Sequence, residues 1–120
     1  MSAELLAAAD DAAQSAYAPY SNFPVGAVAR ARDGRLFTGV NVENAAYPLG
    51  ICAERCCVGA AATAGLKPGD LDEIAITASP CGGCRQWLAE WRFDRVIYRR
   101  ENGEVAAVTP VDLLPDSFVL

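Results

Sequence analysis

At 120 residues, with no internal repeat or low-complexity tract, the chain fits one domain, residues 1–120, built on one modest core. It is 52% hydrophobic and 21% charged, the balance of a soluble globular protein. A net charge of −5 repels phosphate backbones, which excludes polymeric DNA or RNA as the expected partner and favours a small uncharged ligand.

Residues 2–16 read as a helix, with Ser2 as cap and Leu5, Leu6, Ala9, Ala12, Ala13 and Ala16 at helical spacing. Ala18-Pro19-Tyr20-Ser21-Asn22 breaks it. Residues 25–32 and 35–42 read as strands joined at Asp33-Gly34, a strong hairpin signal. Residues 43–51 read as a loop. A second helix is predicted from Ala53 to about Thr63, ended by Gly65, then a strand over 72–78 and a third helix over 82–91. Strands over 94–99 and 104–108 flank the turn Glu101-Asn102-Gly103-Glu104. Thr109-Pro110-Val111-Asp112 has the capping threonine, first-position proline and third-position acid of a helix start. This order implies one mixed sheet with helices on both faces. Arg92, Arg95, Arg99 and Arg100 read as a solvated helix-to-strand edge. The small-residue helices favour close packing between subunits.

The first 20 residues carry Glu4, Asp10 and Asp11 and lack a basic start, so no export signal is expected. No apolar stretch reaches the ~18 residues of a membrane span. The expected compartment is a reducing cytoplasm, where cysteine pairs more often serve metal or redox chemistry than disulfides. Histidine is absent, so catalysis must use carboxylates, thiols or a metal.

Three cysteines and one glutamate carry the chemistry: Cys52-Ala53-Glu54 and Cys81-Gly82-Gly83-Cys84, each where a loop meets a helix start. Free amides and the helix dipole favour thiolates there. Cys52, Cys81 and Cys84 can each bind Zn²⁺ at about 2.3 Å and leave a fourth position open, as catalytic zinc sites do. Three thiolates on Zn²⁺ leave one excess negative charge, which Arg55 and, second, Arg85 are placed to offset. The alternatives are a structural zinc site with Cys56 or Cys57 as fourth ligand, a redox pair at Cys81/Cys84, and buried unligated cysteines.

These motifs stand among Ala18-Pro19-Tyr20-Ser21-Asn22-Phe23, Val25-Gly26-Ala27, Gly39 to Tyr47 (GVNVENAAY) and Leu113-Leu114-Pro115-Asp116-Ser117-Phe118. Together they resemble the cytidine deaminase family, of the small homotetrameric, zinc-dependent type. The resemblance implies an α/β fold, a three-layer α/β/α sandwich with a five-stranded mixed sheet. It implies zinc on Cys52, Cys81 and Cys84, with Glu54 as a non-ligand acid/base moving protons to the ring N3 and the departing ammonia. Asn41 and Glu43 match residues that bind the ribose hydroxyls; two apart on an extended segment, their side chains point the same way. Phe23 matches the aromatic beside the base and the Ala53 amide a donor to the pyrimidine. Tyr47 and Phe118 match residues that reach a neighbour's pocket, giving a homotetramer with shared active sites. The implied reaction is hydrolysis of cytidine and 2′-deoxycytidine to uridine and 2′-deoxyuridine plus ammonia, in pyrimidine salvage.

Three features depart from the family pattern. The segment Ala75–Pro80 is short, which leaves room for another aminated pyrimidine, blasticidin-S-like or N4-substituted. Cys56-Cys57 replaces small or polar residues. Trp87 and Trp91, expected in the core or an interface, replace aliphatics. A reading from a different class, a non-catalytic structural zinc module, requires four protein ligands.

Overall fold

A computed structural model of the chain describes residues 2–120, with residue 2 as backbone only. The capping role expected of the Ser2 side chain therefore lies outside the described residues. The helices are α1 (Ser2–Ala13), α2 (Ala53–Thr63), α3 (Gly82–Glu90) and α4 (Pro110–Leu113). The strands are β1 (Gly26–Ala31), β2 (Leu36–Val40), β3 (Leu71–Ile76), β4 (Arg95–Arg99) and β5 (Val105–Val108). They follow the expected order, with one addition, a 3₁₀ turn at Tyr47–Leu49 inside the expected loop.

The five strands form one sheet in the order β2-β1-β3-β4-β5. All neighbours are antiparallel except β3 and β4, which run parallel and are joined by the crossover through α3. Strand alternation divides the core. Ala27, Ala29, Ile74, Ile76, Val96 and Tyr98 pack with Ala53, Cys57, Val58, Ala61, Leu88 and Leu113, on the side of α2, α3 and α4. Their neighbours Val28, Ala75 and Ile97 pack with Leu5, Leu6 and Ala9 of α1 on the other side. Helices thus cover both faces. Trp91 packs against the larger cluster, whereas Trp87 is partly exposed.

Two glycines set how closely the helices approach. A Cβ on Gly26 would lie 2.8 Å from the Ala13 nitrogen and closer still to the Ala9 carbonyl oxygen. A Cβ on Gly39 would lie 2.7 Å from the Cys57 Cα and closer to the Cys57 nitrogen and the Ala53 carbonyl oxygen. The second approach seats the first turns of α2, which carry Glu54, directly on β2.

Helix α1 ends three residues earlier than its apolar spacing suggests. The Tyr17 amide donates to the Asn41 carbonyl at 3.1 Å, and the Glu43 amide donates to the Tyr17 carbonyl at 2.8 Å. These bonds draw Tyr17 onto Val42, and residues 14–16 turn away from the helix axis to reach it. The arginine run is partnered as well as solvated. Arg92 donates to the Pro68 carbonyl, Arg99 pairs with Asp10 at 2.8 Å and Arg100 lies over the Tyr98 ring. Arg95 lies 3.9 Å from Glu73, whose other side meets Arg30 at 3.3 Å. No described helix is long and apolar enough to cross a membrane.

At α4 the Thr109 hydroxyl accepts from the Asp112 amide at 3.3 Å and the Asp112 carboxylate accepts from the Thr109 amide at 3.0 Å. Thr109→Ala removes the cap, and denaturant unfolding should show a loss of about 1 kcal/mol.

Candidate active site

The ends of α2 and α3 supply the sulfur. Cys52 is the N-cap of α2 and Cys81 the N-cap of α3, both with extended backbone. Each helix therefore points its free amides at the gap between them. The Cys81 Sγ accepts from the Cys84 amide at 3.4 Å. The Sγ atoms of Cys52 and Cys81 are 3.9 Å apart, and all three Sγ atoms, Cys84 included, lie within 4.8 Å of one another. Tetrahedral zinc with bonds of about 2.3 Å sets sulfur–sulfur separations near 3.8 Å. The three thiols fit that spacing.

Among the described residues the cluster has three members. Cys56 is not one of them, and Cys57 is fully buried with its thiol donating to the Phe37 carbonyl at 3.1 Å. Burial pushes the Cys57 thiol up to about 12. Neither supplies the fourth ligand that a closed structural site needs.

Glu54 follows Cys52 by two residues and is 4% exposed. Burial pushes its carboxyl above the ordinary value. Burial also raises the Cys52 and Cys84 thiols. At Cys81 burial acts in the same direction, but the hydrogen bond from the Cys84 amide and those shared with the other thiols outweigh it, and the thiol is lowered.

The expected charge partners divide. Arg55 is strengthened as a cation by Cys84 and the other two thiols against the opposing effect of burial. Its Nε is buried and has no hydrogen-bond partner. A Cβ on Gly83 would run into its Nη2, so the bare Cys-Gly-Gly-Cys turn makes a slot for this guanidinium. A cation held this way beside three thiols suits thiolates carrying a metal with one negative charge in excess. Arg85 differs from the expectation. Its Nε donates to the Pro80 carbonyl at 3.0 Å, Nη1 to the Leu113 carbonyl at 3.2 Å and Nη2 to the Ser79 hydroxyl at 3.3 Å. These bonds tie the cysteine turn to α4, so the residue holds backbone in place.

A cleft of about 370 Å³ opens beside the thiols. Its lining includes Cys52, Ala53, Glu54 and Cys81 together with Phe23, Asn41, Glu43 and Tyr47. The structure thus gathers these predicted residues around one space. Phe23 and Tyr47 are 59% and 91% exposed. Phe118, 69% exposed, is absent from the cleft of its own chain; its carbonyl accepts from Gln86 Nε2 at 3.0 Å.

Asn41 and Glu43 do share a side of the chain, but both already hold the segment before β1. Asn41 Oδ1 accepts from the Val25 amide at 2.8 Å and Nδ2 donates to the Phe23 carbonyl at 3.0 Å. Glu43 Oε1 accepts from the amides of Tyr20 at 2.9 Å and Ser21 at 3.1 Å, and Oε2 accepts a short hydrogen bond from the Ser21 hydroxyl. That hydroxyl keeps the Glu43 carboxyl below the ordinary range, with the two amides adding to the effect. Sequence reasoning assigned no role to Ser21. Its only signal was membership of the Ala18–Phe23 motif.

The family model described as the cytidine and deoxycytidylate deaminase zinc-binding region matches residues 1–100. A cytidine deaminase of Sporosarcina psychrophila is 37% identical over 123 residues, covering 96% of this chain and 89% of the relative. One from Mycobacterium tuberculosis is 41% identical over 121 residues, covering 93% and 85%. The crystal structure of cytidine deaminase from Burkholderia pseudomallei superposes with a TM-score of 0.91 at 41% identity, covering 98% of this chain and 99% of that one. With these likenesses running the length of the thiol ends, the cleft and the sheet, the chain belongs to the cytidine and deoxycytidylate deaminase family.

Proposed function

We propose that this protein hydrolyses cytidine and 2′-deoxycytidine to uridine and 2′-deoxyuridine, releasing ammonia. The observation that carries the reading is a cluster of three thiols, two of them (Cys52 and Cys81) lining the same cleft as the buried carboxylate of Glu54 and as Asn41 and Glu43. Cys52, Cys81 and Cys84 would hold the zinc ion, which when bound supplies Lewis-acid activation of water.

The chain's own residues do the rest. Glu54, shielded from solvent, takes a proton from the attacking water and delivers it to the pyrimidine N3. It delivers a second to the exocyclic nitrogen as that group leaves as ammonia. The ring ends with a carbonyl at C4, so one water is consumed for each ammonia released. The Ala53 amide donates to the pyrimidine, Phe23 flanks the base and Asn41 with Glu43 receives the ribose. Arg55 offsets the charge of the three thiolates from its slot under Gly83.

The same reading places the enzyme in the cytoplasm, in pyrimidine salvage, as a homotetramer in which Tyr47 and Phe118 enter a neighbour's cleft. The exposure of both side chains supports this. The test pairs metal analysis with two assays on cytidine, the fall in ultraviolet absorbance and ammonia release. About one zinc per chain with matched rates in both assays supports the reading. A zinc-loaded protein that leaves cytidine intact refutes it, and turnover of N4-substituted cytosines alone would move the assignment to those substrates.

A further inference from the structure

We infer that Ser21 is a positioning residue for ligand recognition: its hydroxyl fixes which oxygen of Glu43 is left to meet a hydroxyl of the bound nucleoside. The inference rests on the nucleoside reading above and goes beyond it to a residue absent from the cleft wall.

An ionised carboxylate only accepts hydrogen bonds, at about four positions. In Glu43 three are filled by the segment before β1. The Tyr20 and Ser21 amides fill Oε1, and the Ser21 hydroxyl takes one side of Oε2. One acceptor position remains, on Oε2. The hydroxyl is itself fixed from behind, because the Phe23 amide donates to the Ser21 Oγ at 3.0 Å. An N–H can only donate, so the serine hydrogen is directed to Glu43. Asn22, with φ of 55°, makes the left-handed bend between the serine and Phe23.

Asn41 is half-used in the same way. It keeps one lone pair on Oδ1 and one hydrogen on Nδ2 after binding Val25 and Phe23. The remaining set is one acceptor on Glu43 with one donor and one acceptor on Asn41. A sugar hydroxyl both donates and accepts, and this set matches it. Without the Ser21 hydroxyl, Oε2 regains a second open position and the carboxylate, pinned only at Oε1, can pivot. The sugar would then meet a group whose orientation must be fixed during binding, which weakens binding without touching the reacting ring.

The test uses Ser21→Ala and Ser21→Thr in the full-length zinc-loaded enzyme, with cytidine and 2′,3′-dideoxycytidine as substrates. For Ser21→Ala, kcat/KM on cytidine should fall about 10–150-fold, the range of one charge-assisted hydrogen bond. The loss should appear in KM, with kcat within about twofold of wild type, and Ser21→Thr should recover most of it. On the dideoxy substrate, which lacks the 2′- and 3′-hydroxyls, the same variant should match wild type. Equal losses on both substrates, or no loss on cytidine, would overturn the inference. Hydrogen exchange at the Tyr20 amide gives a readout independent of turnover. It should speed up about tenfold or more in Ser21→Ala as Glu43 lets go, and unchanged protection would also overturn the inference. A wild-type protein silent on cytidine refutes the nucleoside reading, while the exchange result still decides whether Ser21 holds Glu43.

Discussion

Replacing Glu54 by glutamine should lower kcat on cytidine by about 10²–10⁴-fold, the usual contribution of a positioned acid/base, while the zinc content per chain stays at the wild-type value. The amide has almost the same shape as the carboxyl it replaces, so the buried site keeps its packing. What is lost is the capacity to take up and release a proton. With no histidine in the chain, no substitute of the usual kind stands nearby. Steady-state kinetics on cytidine, with metal analysis of the same sample, reads both halves of the expectation. Turnover within tenfold of wild type would remove Glu54 from the proton path. Loss of zinc together with loss of activity would make it a ligand, against the three-membered thiol cluster.

Gly39→Ala should be severely damaging for the addition of a single methyl group. Gly39 pairs with Ala27 in the sheet, and its added carbon would meet the Cys57 nitrogen, the Cys57 Cα and the Ala53 carbonyl oxygen. All three are backbone atoms in successive turns of α2, so no side-chain rotation relieves the clash. The helix must lift from the sheet. Overpacking of a core costs about 1–3 kcal/mol, and a backbone clash of this kind belongs at the upper end or beyond. Because Ala53 is among the atoms displaced, Cys52 and Glu54 move with it. Denaturant unfolding should show a loss of about 3 kcal/mol or more, and the folded fraction should have little activity and bind zinc poorly. Gly59→Ala is the control. It lies on the same helix with open space around its Cβ, and Ala is favoured over Gly there by about 0.5–1 kcal/mol. Equal stabilities for the two variants would contradict the packing described.

The two halves of the site differ in how readable they are from the chain. The start of α2 at Ala53 and the capping box at Thr109 follow from local residue types, and both stand where those types predict. The clustering of Cys52 with a turn 29 residues later follows from metal chemistry, because three soft ligands and one acid have few other uses. Element order implies a mixed sheet with helices on both faces, and the family likeness adds its five strands in a three-layer sandwich. Other features are long-range and leave no local trace. That β1 sits between β2 and β3 depends on pairing across 40 or more residues. The early end of α1 depends on Tyr17 finding Asn41 and Glu43. The Ser21–Glu43 anchor spans 22 residues and joins a side chain largely to backbone amides. The partners of Arg85 are not legible from its nearness in sequence to Cys84. A side chain on a helix leans toward the helix N-terminus, so this one reaches back to Ser79 and Pro80 instead.

The Arg85 bridge has a mechanical consequence. One guanidinium fastens the strip carrying two of the three sulfurs to the carbonyl that ends α4. Fraying of that short final helix should thereby disturb the three-thiol cluster, although no residue of the helix belongs to it. The far end of the polypeptide works as a buttress for its reactive middle.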